Sequence, residues 1–145
     1  MTLPSREDIN VFNSLDEEVA CRHFLGKDLD AAEALFRENS AYFEEDLLWM
    51  GPKAFRFYVE ALIRYLRSDA SQGDACIVSC FAGILEFRLE YQPQELRPIA
   101  SQLASACRDV LQGYWRFQVE SEIWGELRPR YWELEQAFLR QIHPR

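Results

Sequence analysis

Between Gly51 and Arg67 the sequence GPKAFRFYVEALIRYLR confines its charge to one narrow line. Lys53, Arg56, Glu60, Arg64 and Arg67 follow one another at spacings of 3, 4, 4 and 3, so on a helix they form a single stripe. The residues between them, from Ala54 and Phe55 to Tyr65 and Leu66, are apolar and cover most of the circumference. A helix apolar over so much of its surface must be enclosed by neighbours on several sides, which makes it the centre of a domain. Pro52 fits its first position, where the missing N–H is no loss and φ is already helical. The stripe itself reads as an ion-pair ladder left in water, with Arg56, Glu60 and Arg64 one turn apart.

The rest of the chain supplies helices to enclose it. Ser14 and Glu17 form a capping box for a helix whose apolar face is expected from Leu15, Val19, Phe24 and Leu25, closed by Gly26. A short helical turn is expected before it, between Arg6 and Val11. Asp30 and Glu33 suggest a second box, opening a helix that turns Leu35 and Phe36 inward, and Ser40 is positioned to cap a further helix over 41–49. Asp74 caps ACIVSCFAGILEFRLEY, which carries no charge from Ala75 to Leu85. Pro98 interrupts the chain ahead of an amphipathic helix through Ile99, Leu103, Ala106, Val110 and Leu111 to Gly113. A short piece near Glu120 to Trp124 and a last helix from Pro129 complete the chain. No segment alternates as a strand would. The pattern predicts an all-α fold: a compact single-domain bundle of six or more helices, over 1–145, around a central buried helix at 52–67.

Charge and cysteine usage narrow the possible functions. The formal net charge is −8, only Lys27 and Lys53 of the 16 basic residues are lysine, and the arginines are scattered. No basic patch is available for nucleic acid or an anionic membrane, and a basic protein is the more natural partner. No apolar run is long enough for a transmembrane helix, and the N-terminus lacks the apolar core of a signal peptide. A cytoplasmic protein is therefore expected, with Cys21, Cys76, Cys80 and Cys107 as reduced thiols acting as small core hydrophobes. Cys21, His23, Cys76 and Cys80 could be written as a zinc set, but their core-like neighbours argue against one, so neither metal nor cofactor is expected.

Signatures of phosphate-binding loops, dinucleotide folds, serine hydrolases and zinc peptidases are missing. His23 is two residues from Cys21, and this spacing separates the two side chains around a helix, so they form no local dyad. The most pointed polar feature is Glu44, Glu45 and Asp46, framed by Tyr42, Phe43, Trp49 and Met50. Adjacent carboxylates diverge on a helix, so they read as a solvated face or as part of an interaction surface, not as a converging catalytic pair. Tyr42, Glu44, Glu45, Asp46 and Trp49 are the candidate partner-binding residues, and no residue is assigned as catalytic.

The run from Asp46 through Gly51-Pro52-Lys53-Ala54-Phe55-Arg56-Phe57-Tyr58 resembles a small bacterial family of unknown function with an x-P-x-A-F-R-aromatic-aromatic pattern. The similarity covers about a third of the chain. It implies a bacterial source and an all-helical fold and transfers no catalytic residue. Two functions are expected. One is a small acidic binding protein, such as an immunity protein or adaptor that blocks a basic partner, for example a bacterial toxin. The alternative is a helical-bundle enzyme or ligand-binding protein using the Glu44 to Asp46 carboxylates. Self-association is left open.

Overall fold

A computed structural model describes residues 2–144, and every regular element among them is helical. The chain divides into two compact units, Met1–Tyr65 and Leu66–Arg145.

In the first unit, α1 (Arg6–Ile9) and α2 (Leu15–Phe24) each open on a reciprocal capping box, Ser5 with Asp8 and Ser14 with Glu17. α2 ends in a turn through Gly26, whose φ of +80° suits a residue without a Cβ. α3 (Leu29–Trp49) is broken at Asn39, where φ −160° and ψ 84° interrupt the helical backbone. Two of its caps differ from the sequence expectation. Asp28, not Asp30, accepts from the Ala31 N–H at 2.8 Å, and Glu33 instead binds Arg37 one turn on at 2.7 Å. Asn39, not Ser40, accepts from the Tyr42 N–H at 3.1 Å and starts the second half. Both shifts have one cause: the cap is whichever short polar side chain lies at the point where the backbone leaves the extended region, and two candidates stood close together.

α4 (Pro52–Arg67) begins at the expected proline, and every apolar residue from Ala54 to Leu66 except Phe57 is buried. Lys53, Arg64 and Arg67 remain exposed, and Arg64 pairs with Glu60 at 3.7 Å, as the ladder predicts, and with Asp30 at 3.6 Å. The Gly51 N–H donates to the Ile9 carbonyl at 2.9 Å, which brings the chain ahead of α4 against the end of α1. The Tyr58 hydroxyl donates to the carbonyls of Phe24 (2.8 Å) and Lys27 (2.9 Å), closing the turn after α2.

The face that α2 buries agrees with the expectation at Phe24 but not at Leu15 or Leu25. Glu17, Ala20, Cys21 and Phe24 are buried, spaced as one helical stripe, whereas Leu25 is exposed and Leu15 stands 85% in solvent. Four hydrogen bonds draw the Glu17 carboxylate inward and fix the rotation of the helix, which sends Leu15 to the opposite side.

In the second unit, α5 (Ala75–Tyr91) is capped by Asp74 through the Ile77 N–H at 3.2 Å. α6 (Pro93–Leu96) and a 3-10 turn at Arg97–Ile99 lead into α7 (Ala100–Gln112). A 3-10 turn at Tyr114–Phe117 and α8 (Ser121–Trp124) precede α9 (Arg128–Ile142). α9 packs along α7 and α5. Buried Tyr131 donates to the Val78 carbonyl, and buried Glu135 pairs with Arg108 at 2.7 Å. The thiols fall into two kinds. Cys21 and Cys107 are core groups as expected, but Cys76 and Cys80 are only half-buried, with Sγ atoms 3.8 Å apart. No described helix is long and apolar enough to cross a membrane.

Candidate functional site

A shallow groove of about 100 Å³ lies between α2 and the second half of α3 in the first unit. Asp16, Val19 and His23 line it from α2, and Tyr42, Glu45, Asp46 and Trp49 from α3. The α3 residues share a face because 42, 45, 46 and 49 are three and four apart. Four of the five expected partner-binding residues thus converge; Glu44, pointing to another side of the helix, does not line the groove.

The structure also corrects the reading of the three carboxylates as one exposed set. Glu45 is in solvent, but Asp46 is only 4% exposed and sits 2.6 Å from His23 Nδ1. With Asp46 ionised its oxygen can only accept, so His23 Nδ1 donates and Nε2 is the ring's other nitrogen. Burial pushes the Asp46 carboxyl above its ordinary value, the His23 contact pulls against that, and the neighbouring Glu45 charge adds to the rise. His23 is further held by ring contacts with Tyr42 (centroids 5.3 Å apart) and Phe43 (5.0 Å, edge to face). Its imidazole is fixed on three sides.

His23 is the residue of this groove that the sequence does not single out. Its partner lies 23 positions away, on another helix, and no local spacing connects them. The signal in the sequence is a lone histidine near the end of a helix that opens on Asp16, Glu17 and Glu18.

Chemically, the groove offers exposed carboxylates (Asp16, Glu45), two exposed aromatic side chains (Tyr42, Trp49) and a rigid imidazole. No serine, threonine or cysteine lines it, so a nucleophile for a His-Asp pair is missing from the groove itself. Cys21, on the same helix as His23, is buried and its Sγ lies 3.8 Å from the Arg6 carbonyl. Among the described residues no three His, Cys, Asp or Glu side chains are grouped to hold a metal ion. The chain matches no family model, and neither the curated proteins nor the solved structures provide a similar protein.

Proposed function

We propose that the chain is a binding protein for a basic protein partner, in the manner of an immunity protein or adaptor that blocks a bacterial toxin, and that the groove takes a Lys or Arg side chain of that partner. The observation that carries this reading is the lining of the groove. Carboxylates of Asp16 and Glu45 stand beside the exposed rings of Tyr42 and Trp49, a combination that suits a cation through charge and through the ring faces. The net charge of −8 would speed the encounter of a cationic partner over longer distances. A groove of about 100 Å³ has room for a single side-chain head group and little more.

The test is association of a hexa-arginine peptide with the wild type and with the doubly neutralised Asp16→Asn/Glu45→Gln protein. Both carboxylates are exposed, so the variant should keep its stability. Its association should be several-fold slower at about 50 mM salt, and the difference should shrink by about 300 mM, where screening is short-ranged. Equal association rates at low salt would remove the groove from the proposal.

The enzyme reading retains one specific observation, the oriented imidazole of His23, which could act as a general base. A reaction that survives His23→Gln would eliminate it.

A further inference from the structure

The most exposed large apolar side chains of the first unit lie together on the loop between α1 and α2 and at the first residue of α2. On the loop Phe12 is 80% exposed and Val11 is also in solvent, and Leu15, which opens α2, is 85% exposed. Such residues usually protrude because the chain that bears them is loose. This loop is pinned. The Glu17 carboxylate, itself only 4% exposed, accepts hydrogen bonds from the N–H groups of Val11 (2.8 Å), Phe12 (3.1 Å) and Ser14 (3.2 Å) and from the Ser14 hydroxyl (2.7 Å). Asn13, at the tip, takes the left-handed conformation (φ 58°) that lets the chain reverse over the carboxylate. One buried charge thus organises the backbone while the apolar side chains remain outside, the reverse of what burial alone would favour.

From this we infer that Phe12 and Leu15 are anchor residues of the partner interface, entering an apolar pocket rimmed by Lys or Arg on the partner. The inference takes from the proposed function only the partner's positive charge. Two observations identify that occupant. Leu15 precedes Asp16, and Val19 lies one turn further along α2; both Asp16 and Val19 line the groove, so the apolar loop and the acidic groove form one continuous surface. The charges flanking the loop favour a cationic rim as well. Glu7 and Asp16 are exposed carboxylates, whereas the cation Arg6 is engaged by Glu18 at 3.0 Å. These carboxylates would repel a second copy of this acidic chain or an anionic membrane. Preorganisation explains why Glu17 is buried here: a loop already fixed loses little conformational freedom when its anchors are taken up.

The experiment uses two amphipathic peptides of about 18 residues, one of leucine and lysine and one of leucine and glutamate, long enough to be helical when bound. Wild-type protein should bind the leucine-lysine peptide at least about tenfold more tightly than the leucine-glutamate peptide. Phe12→Ser/Leu15→Ser should weaken the leucine-lysine peptide about tenfold at both low and high salt, because the lost contacts are apolar. Both side chains are in solvent, so this variant should keep the wild-type helical signal. Glu17→Gln, with the anchors present but the loop loosened, should weaken binding by a smaller factor. Unchanged affinity in Phe12→Ser/Leu15→Ser overturns the inference, as does failure of the wild type to bind the leucine-lysine peptide or to prefer it over its acidic counterpart. A wild-type dimer that the double variant converts to monomer overturns it in favour of a second copy. If Asp16→Asn/Glu45→Gln binds like the wild type while Phe12→Ser/Leu15→Ser does not, the anchors stand and the groove reading falls; the opposite pattern leaves the groove and removes the anchors.

Discussion

Replacing Glu17 by glutamine tests the pinned loop directly. The carboxylate takes bonds from three backbone N–H groups and one hydroxyl, divided between its two oxygens: Val11 and Phe12 are closest to Oε1, and both bonds from Ser14 go to Oε2. Glutamine keeps one acceptor and puts an NH2 donor in place of the other. Whichever way the amide turns, at least one backbone N–H then faces a donor, and the charge that strengthened the remaining bonds is gone. A hydrogen bond to a charged group contributes about 1.5–3 kcal/mol and an orphaned buried N–H costs about 1–3 kcal/mol, so the expected loss of stability is about 2 kcal/mol. Urea unfolding at pH 7 measures it, and faster amide exchange at Val11 and Phe12 would locate it.

The pH dependence supplies the refutation. Burial pushes the Glu17 carboxyl up, but the bonds from Ser14, Phe12 and Val11 outweigh burial and hold it below its ordinary 4.5. A group depressed in the folded state stabilises fully above its unfolded value, and that contribution disappears as pH falls through the folded value. The gap between wild type and Glu17→Gln should therefore be full at pH 7 and narrow progressively as pH falls below the ordinary carboxylate range. A gap under about 0.5 kcal/mol at pH 7, or one that does not narrow in acid, would refute the assignment of the loop's order to this carboxylate.

Gly51→Ala should destabilise by about 1–3 kcal/mol, because a methyl group there would overlap the Asp8 carbonyl oxygen and lie 2.5 Å from Val11 Cγ2; calorimetric unfolding close to wild type would show that α1 can move away at little cost. Tyr58→Phe removes the hydroxyl that serves two carbonyls and should cost about 1–2 kcal/mol in urea unfolding, and its loss should also abolish a phenol titration that burial and the Asp28 charge push up to about 12. Half-buried Cys76 and Cys80 should react with an aromatic disulfide reagent in the native protein, while Cys21 and Cys107 should react only after unfolding. Burial raises the Cys107 thiol to about 12 and also raises Cys21, so rapid native labelling of either would contradict the packing. Asp46→Asn should lower stability by about 1–3 kcal/mol, unlike the exposed Glu45→Gln, because it alters a buried group bonded to His23; equal effects of the two would restore Asp46 to the surface.

The features legible in the sequence were those set within one or two helical turns. Pro52 opening α4, the charged stripe along it, the Ser14–Glu17 box and the Asp74 cap depend on i to i+4 geometry, which the order of residues specifies without reference to distant parts of the chain. Where two local solutions compete, as at Asp28 against Asp30 or Asn39 against Ser40, the sequence admits both, and packing of the adjoining helices selects one. The candidate site shows the same division. Tyr42, Glu45, Asp46 and Trp49 could be placed on one helical face in advance, but Asp46 is buried against His23 of another helix, and only the folded chain brings the two within 2.6 Å. Apolar and in helical period, Leu15 reads in the sequence as part of the buried face. The tertiary structure turned it outward, since a buried carboxylate with four donors to satisfy constrains the rotation of α2 more strongly than one leucine that water can surround at modest cost.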